Sequence, residues 1–280
     1  MLKTVGIVAR LDRQAAVKLA DKISHYLASK GLNVLVESEL AHLQGKGKAV
    51  ALNQMLADLL IIIGGDGTIL RTCMNVPMPE TPILGINMGT WGFLTEVKSE
   101  STLEAINKCL AGDYITEECT KLSLSVNGVK LPDGLNEVVV TSTQPAKMLY
   151  LRVSIDRLTP MKLGADGIIV STPLGSTAYS YAAGGPAVDS RVLAFILTLL
   201  NPLTPTRSMV IPATSIIRID LLKPRSRASV IVDGAYQREI TFRQSLVVKK
   251  SNHKSVFIRL RKDFFQRRLK GRALSISWGR

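Results

Sequence analysis

The spacing of apolar and polar positions changes character once along the chain, near residue 115. Before that point, runs typical of buried strands alternate with segments whose apolar residues recur at helical spacing. Residues 13–30 are such a segment, with apolar side chains at 16, 19, 20, 23 and 27 and a glycine at position 31. Strands that alternate with helices predict a parallel sheet covered on both faces. Residues 1–115 are therefore predicted to form an α/β domain.

The pattern also predicts the individual elements of this domain. The predicted strands are KTVGIVAR, LNVLVE, DLLIIIGG and TPILGIN. Helices are predicted at 13–30, in the second part of 44–57, from residue 68 onward, and in SESTLEAINKCLAGD. The last helix is predicted to start at a Ser or Thr cap and to end near Gly112.

After residue 115 the apolar residues occur in short, β-branched and often alternating runs. Examples are KLSLSVNG, NEVVVTS, MLYLRVSID, ADGIIVST, SIIRIDLL, ASVIVDG, SLVVKKS and SVFIRLR. Many short strands with tight turns predict an all-β, β-sandwich-like domain, to which we assign residues 116–262. Residues 263–280 form a basic tail that we predict to pack back, with Phe264, Phe265 and Leu269 facing inward.

Composition narrows the class of protein. With 280 residues, 46% hydrophobic and 21% charged, the chain suits a two-domain globular protein. The apolar run at 192–200 is too short to cross a bilayer, so no membrane role is predicted. The three cysteines and three histidines show neither disulfide nor metal-ligand spacing, which predicts a reducing cytoplasm and no protein-built metal site.

The net charge of +14 is concentrated towards the end of the chain. Ten basic residues lie between 249 and 272, where Asp263 is the only acid. Such a surface attracts nucleic acid, anionic lipid or phosphate-rich small molecules, or is simply a solvated face. The sequence lacks an RNA-binding aromatic signature, which argues against nucleic acid.

The stretch LLIIIGGDGTILR, residues 59–71, carries the candidate chemistry. Ligands of open α/β sheets bind beyond the carboxyl ends of the strands, which is where GGDGT falls. Its glycines allow close approach to an anion at the start of the following helix. Asp66 would repel phosphate directly, so it fits a base for a hydroxyl or a group that meets phosphate through a cation or a water. The alternative is a glycine turn with Asp66 as helix cap.

Four blocks in matching order resemble the NAD kinase family, a branch of the GGDGT kinase superfamily. They are GGDGT at 64–68, GINMGTWGFL at 85–94, Asn136-Glu137, and Asp166-Gly167 followed by STPLGSTAYS at 171–180 with AGGP at 183–186. GGDGT alone indicates phosphoryl transfer without an acceptor. The other blocks make NAD the expected acceptor.

The resemblance implies roles for particular residues. It makes Asp66 the general base, places Gly67 near the dinucleotide and brings Arg71 to phosphate. Asn136 and Glu137 would hold the adenine-side ribose and base, with Asp166 on the nicotinamide side. The adenine and ribose pocket would be lined by Thr177, Ala178, Tyr179, Ser180, Tyr181 and Ala182.

Several positions depart from the family pattern. Leu174 stands where the family usually has Thr, so that loop loses a hydroxyl. Lys147 and Gly164 lie near positions of basic substrate-contacting residues, and only Lys147 keeps the charge. The family's Asp-Gly-Gln block is Asp233-Gly234-Ala235 here, with Gln237 two residues later.

The family resemblance also implies substrates and partners. It implies ATP or polyphosphate as donor, NAD as acceptor, and Mg²⁺ or another divalent cation that accompanies the donor. A homodimer or homotetramer is expected. Two alternatives stay open at this point: a lipid or sugar kinase of the same superfamily, and a nucleotide- or nucleic-acid-binding regulator without catalysis.

Overall fold

The computed structural model describes residues 2–44, 48–89 and 92–262. These residues form two compact units. The first unit contains residues 2–118 and 255–262, and the second runs from Cys119 to Lys254. The predicted tail at 263–280 lies outside the described residues.

The first unit contains a parallel sheet with helices between its strands. The strands are β1 (Thr4–Ala9), β2 (Asn33–Glu37), β3 (Lys48–Val50), β4 (Leu59–Gly64), β5 (Ile83–Asn87) and β6 (Val97–Lys98). The helices are α1 (Gln14–Ser29), α2 (Ser38–Gln44), α3 (Asp66–Asn75) and α4 (Thr102–Ala111). The strand order is β5-β4-β1-β2-β3, and all these neighbours are parallel. From β1 the chain adds β2 and β3 on one side, and then returns to the other side of β1 with β4 and β5, so the strand order reverses between β1 and β4. In such sheets the crevice beyond the carboxyl ends at the reversal is the usual ligand position.

Burial explains why these segments form these elements. All six residues of β4 are buried, as expected of a central strand covered on both faces. Helix α1 buries Ala16, Ala20, Ile23 and Leu27, which recur at helical spacing on one face. Gly112 adopts φ 78° at the end of α4, a left-handed conformation that glycine takes without strain.

The helix predicted in the second part of 44–57 is wrong. The described part of that segment instead contains β3 and one 3₁₀ turn, Leu52–Gln54. Residues 48–50 pair in parallel with β2, and this tertiary pairing overrides the local preference. The helix of this region, α2, lies earlier, at the end of β2.

The second unit is built from antiparallel strands. They are β7 (Ile115–Val126, entering from the first unit), β8 (Val129–Lys130), β9 (Glu137–Ser142), β10 (Leu149–Ile155), β11 (Met161–Ala165), β12 (Gly167–Ser171), β13 (Ala194–Leu200), β14 (Met209–Pro212), β15 (Ile217–Leu221), β16 (Arg227–Val232), β17 (Tyr236–Thr241) and β18 (Ser245–Arg259, leaving for the first unit). One short helix, α5 (Tyr179–Ala182), interrupts them.

These strands form two sheets within the second unit. One has the order β11-β10-β15-β18, with β7 on β18 and β8 on β7. The other has six strands in the order β14-β13-β12-β9-β16-β17, all antiparallel. An α/β part with a parallel sheet and a part made of antiparallel strands confirm the predicted fold class.

The two units do not have the bounds of the predicted domains 1–115 and 116–262, because the first unit runs to residue 118 and also includes residues from 255 onward. The runs SLVVKKS and SVFIRLR form the single strand β18, and its last residues belong to the first unit. There Phe257 pairs in parallel with Ile83 of β5. A strand that serves both units has no break in its local pattern, so its sequence does not show the change.

None of the helices in residues 2–44, 48–89 and 92–262 combines the length and apolarity that crossing a membrane would require.

Candidate active site

The GGDGT loop follows the central strand β4 at the reversal of the strand order. Gly65 stands at the N-cap position and Asp66 is the first helical residue of α3. A methyl group on Gly64 would lie 2.5 Å from Thr68 Oγ1, so the fold itself requires that glycine. A methyl group on Gly65 or Gly67 would meet nothing within 4 Å. Two of the three glycines therefore leave open backbone beside Asp66, which allows the close approach of a ligand.

The carboxylate of Asp66 is held by a second loop of the same unit. Phe93 N–H donates to both carboxylate oxygens at 3.1 and 3.0 Å, and Leu94 N–H donates to Oδ1 at 3.0 Å. Behind this loop, Arg259 of β18 donates to the carbonyl of Leu94 at 3.0 Å and to Glu117 at 2.7 Å. Asp66 is thus oriented by the G-F-L end of the 85–94 block and is not a cap of its own helix. Thr90 and Trp91 of that block lie outside the described residues.

Arg71 has a protein partner. Its guanidinium makes a two-pronged pair with Glu37 at the end of β2, at 2.5 and 2.9 Å. Glu37 is buried, whereas the Arg71 side chain is 38% exposed. The Glu37 carboxylate raises the pKa of Arg71, which therefore keeps its charge. Contact of Arg71 with phosphate stays a prediction, and Glu37 is a partner that the sequence analysis did not identify.

In the second unit, Glu137 is the first residue of β9 and Asn136 directly precedes it, and both are buried. The side chain of Asp233 accepts the N–H groups of Leu135, Asn136 and Glu137 at 2.6, 2.8 and 3.0 Å. Glu137 Oε2 is buried and accepts no hydrogen bond from the described residues. Burial, together with the charge of Asp233, raises the pKa of Glu137 to about 8. Such a carboxyl is suited to a ligand that brings hydroxyl groups.

The STPLGST loop packs against this segment. Thr172 donates its N–H to the carbonyl of Asn136 at 2.8 Å and its hydroxyl to that of Leu135 at 2.7 Å. A methyl group on Gly175 would lie 2.1 Å from the carbonyl oxygen of Asn136. Gly175 is therefore required for the close approach of the two backbones.

Replacing Gly175 with Ala is expected to shift the Asn136 backbone, because a backbone carbonyl cannot rotate away as a side chain does. We expect a lower melting temperature together with weaker binding of NAD, the ligand expected at Asn136 and Glu137, measured by calorimetry. Gly6→Ala is the matched control, since its methyl group would lie 2.7 Å from core atoms of the first unit. That variant should lose stability alone. Equal ligand affinity in the two variants would contradict this account.

Several predicted lining residues have their hydroxyls engaged inside the protein. Thr177 is buried and donates to the carbonyl of Leu174 at 3.3 Å. Ser180 is buried and shares a hydrogen bond of 2.9 Å with Thr198. By contrast, Tyr179 and Tyr181 are 47% and 40% exposed, so their rings are accessible.

The other predicted positions in the second unit differ in exposure. Asp166 connects β11 to β12 and accepts a hydrogen bond from Asn201 at 2.9 Å. Leu174 is buried, Gly164 and Ala178 are half-buried, and Lys147 and Ala182 are exposed. Their ligand roles stay predictions.

The described residues contain no group of three or more His, Cys, Asp or Glu side chains that could hold a metal ion. Asp66 is a single carboxylate whose two oxygens accept backbone N–H groups. Mg²⁺ commonly binds one or two carboxylates together with substrate phosphates and waters. A cation that arrives with a phosphate donor therefore fits Asp66, whereas a cage built by the described residues alone does not.

An α/β unit with a glycine-rich loop and an oriented carboxylate at the strand reversal, joined to a unit of antiparallel strands, has the features of a GGDGT-type kinase. Comparison with known families identifies the branch. Residues 5–114 match the ATP-NAD kinase N-terminal domain, and residues 135–260 match the ATP-NAD kinase C-terminal domain. The chain belongs to the NAD kinase family.

Individual relatives agree with this assignment. The NAD kinase of Methanothermobacter thermautotrophicus is 43% identical over 268 residues, covering 94% of each chain. That of Pyrococcus abyssi is 40% identical over 93% of this chain and 95% of its own. Among solved structures, an NAD kinase from Archaeoglobus fulgidus in complex with ATP superimposes with TM-score 0.78 at 26% identity, covering 98% of this chain and all of its own. Yeast NADH kinase complexed with NADH has the same fold, with TM-score 0.91 at 21% identity over this whole chain and 89% of its own.

Proposed function

We propose that this protein is an NAD kinase that transfers the terminal phosphoryl group of ATP to the 2′-hydroxyl of the adenosine ribose of NAD. The new bond joins the ribose oxygen to phosphorus, and the bond from phosphorus to the bridging oxygen of ATP breaks. The products are NADP and ADP, and the hydroxyl proton passes to a base. The family membership and the relatives named NAD kinase support this reaction.

The orientation of Asp66 is the observation that carries the proposal. A ribose hydroxyl is a weak nucleophile at neutral pH, and phosphoryl transfer depends on positioning and charge neutralisation more than on covalent chemistry. Asp66 has its carboxylate fixed by two backbone N–H groups beside open glycine backbone. It is therefore suited to accept the hydroxyl proton as phosphorus approaches the oxygen.

The donor phosphates are proposed to lie against the open backbone of Gly65 and Gly67 and the first turn of α3. The N–H groups and the positive end of that helix favour an anion. A divalent cation bound with the donor would supply positive charge against the phosphates, and Asp66 would be the carboxylate of this loop that meets it. Arg71, which pairs with Glu37 at the carboxyl end of β2, is proposed to help neutralise the donor phosphates.

The adenine-side ribose is proposed to bind at Asn136 and Glu137. Asn136 supplies a donor and an acceptor, and Glu137 supplies a buried oxygen that lacks a partner in the described chain. A ribose hydroxyl that donates to Glu137 Oε2 would satisfy this atom and stabilise its charged form. The exposed rings of Tyr179 and Tyr181 support the proposed lining of the adenine pocket by this segment.

Formation of NADP from NAD, ATP and Mg²⁺ is the test of this function. We expect NADP to accumulate, with one molecule of ADP released for each molecule of NADP formed. A phosphorylated diacylglycerol or sugar formed in place of NADP would overturn the proposal in favour of another kinase of the superfamily. Salt-sensitive retention of RNA or DNA without turnover would favour a regulator. The family matches favour neither alternative.

The donor is tested in the same assay with inorganic polyphosphate in place of ATP. We propose ATP, because the Archaeoglobus relative was solved in complex with ATP. NADP formed with polyphosphate and not with ATP would contradict this choice.

We also propose that the protein works in the cytoplasm as a homodimer or homotetramer. The second unit exposes the apolar side chains of Val192, Leu193, Leu203 and Val210 by 47–65%, and contact with a second copy would remove such side chains from water. Cys73, Cys109 and Cys119 are buried and form no disulfide, as suits a reducing compartment. A monomeric mass by light scattering at micromolar concentration would contradict the oligomer.

A further inference from the structure

The turn between β16 and β17 contains an aspartate that the turn itself does not need. Asp233 and Gly234 have φ values of 48° and 67°, and Ala235 N–H donates to the Val232 carbonyl at 3.0 Å. Two consecutive left-handed residues define the tight hairpin turn that accepts Asn-Gly, Asp-Gly or Gly-Gly equally well. The hairpin alone therefore explains a small turn residue at 233 and does not explain a buried carboxylate.

The carboxylate binds a segment about a hundred positions away in the chain. Its two oxygens accept three successive N–H groups, from Leu135, Asn136 and Glu137, the furthest at a sequence separation of 98. Successive N–H groups that converge on one point form an anion site in the backbone, and here the anion belongs to the protein. Asp233 is only 8% exposed, and this burial raises the pKa of its carboxyl, while the three N–H groups and the nearby buried Lys121 act in the opposite direction.

The same segment is fixed from its other side by the STPLGST loop. Thr172 binds the carbonyl groups of Leu135 and Asn136, while Asp233 binds N–H groups of residues 135–137. Both hydrogen-bonding directions of this backbone are thus occupied. The side chains of Asn136 and Glu137 therefore project from a backbone that is held in place, and the position of this backbone depends on the Asp233 carboxylate in the hairpin between β16 and β17.

We propose that Asp233 is a positioning residue for NAD, acting through the backbone of Asn136 and Glu137 without touching the substrate. This inference rests on the proposed function, because it assigns those two side chains to the adenosine ribose. It requires a carboxylate: an amide has a single acceptor oxygen, and its NH₂ group would face the N–H donors.

Steady-state kinetics of Asp233→Asn and Asp233→Gly test this role. Both residues suit the left-handed turn, so the hairpin is retained. We expect KM for NAD to rise about tenfold or more, as the loss of one charge-assisted hydrogen bond implies. We expect kcat at saturating NAD and KM for ATP to stay unchanged. Two variants are used so that the effect on KM is still measured if one of them fails to fold.

Asp156→Asn is the matched control. Asp156 is also a left-handed aspartate of the second unit, with φ 50°, and its carboxylate accepts one backbone N–H, that of Ile216, at 2.8 Å. It should leave KM for NAD unchanged.

Two results would overturn the inference. An unchanged KM for NAD in both Asp233 variants would show that the carboxylate does not position the segment. A fall in kcat alone, as expected when part of the protein is misfolded, would assign Asp233 a purely structural role. A wild-type protein that makes no NADP would instead refute the proposed function, so the two failures are distinguishable.

Discussion

Asp66→Asn is expected to lower kcat for NADP formation by about 10²–10⁴-fold, the contribution typical of a positioned general base. The amide has nearly the same shape and keeps one acceptor oxygen for the N–H groups of Phe93 and Leu94. The amide of the variant does not accept the ribose proton at neutral pH. Because binding of NAD is assigned to other residues, its dissociation constant, measured by calorimetry, should change little.

Asp58→Asn separates catalysis from stability in this experiment. Asp58 precedes β4 at the opposite end from Asp66, and its carboxylate likewise accepts two backbone N–H groups, from Lys3 and Thr4, at 2.8 and 2.9 Å. This variant should lose a comparable amount of stability and keep its turnover. Near-normal kcat in Asp66→Asn, or an equal loss in both variants, would remove Asp66 from the role of base.

Glu137→Gln is expected to have a higher free energy of unfolding than the wild type at pH 9. The difference between the two proteins is expected to be much smaller at pH 5. The pKa of Glu137 is about 8 in the folded chain, above its ordinary value of 4.5, because the carboxyl is buried near Asp233. Between these values the folded chain holds a proton that the unfolded chain has released. Wild-type stability therefore falls as the pH rises through this window and is level above it, a loss on the order of a few kcal/mol.

Melting temperatures of the two proteins from pH 4 to pH 9 measure this effect. The difference should grow from about pH 4.5 to about pH 8 and then stay constant, because the amide in Glu137→Gln does not ionise. Glu239→Gln is the control, since Glu239 lies half-exposed on β17 in a pair with Arg227. A pH-independent difference for Glu137→Gln would show that Glu137 is charged throughout. The same variant should bind NAD more weakly, because the amide accepts at one oxygen only.

The sequence predicted most of the fold because hydrophobic periodicity is a local signal. The strand Leu59–Gly64, the helix Gln14–Ser29 and the alternating strands of the second unit all follow from the spacing of their apolar residues. The exception in the first half, β3, is three residues long and is stabilised by its pairing with β2. A pattern that short carries no usable period.

The candidate site was predictable in its motifs and not in its supports. GGDGT and Asn136-Glu137 are contiguous in sequence, so their chemistry is visible there. The groups that hold them are distant: Phe93 and Leu94 for Asp66, Glu37 for Arg71, and Asp233 for residues 135–137. A side chain that binds backbone N–H groups leaves no trace in the sequence of its partner. Asp233 was visible only as part of a family block, and no role was predicted for it.

The strand that ends in Arg259 has a consequence for how the protein is made. The loop that orients Asp66 is braced by Arg259, whose partner Glu117 lies 142 positions earlier. During synthesis from the amino end, the first 118 residues emerge well before this brace exists, and β5 still lacks its pairing with Phe257. The contact between Arg259 and Leu94 therefore forms only after almost the whole chain has been synthesised. A nascent or truncated chain that stops before residue 255 contains the segments proposed to bind NAD, but it lacks the contact that supports the loop orienting Asp66. Catalytic activity is therefore expected only once translation is nearly complete.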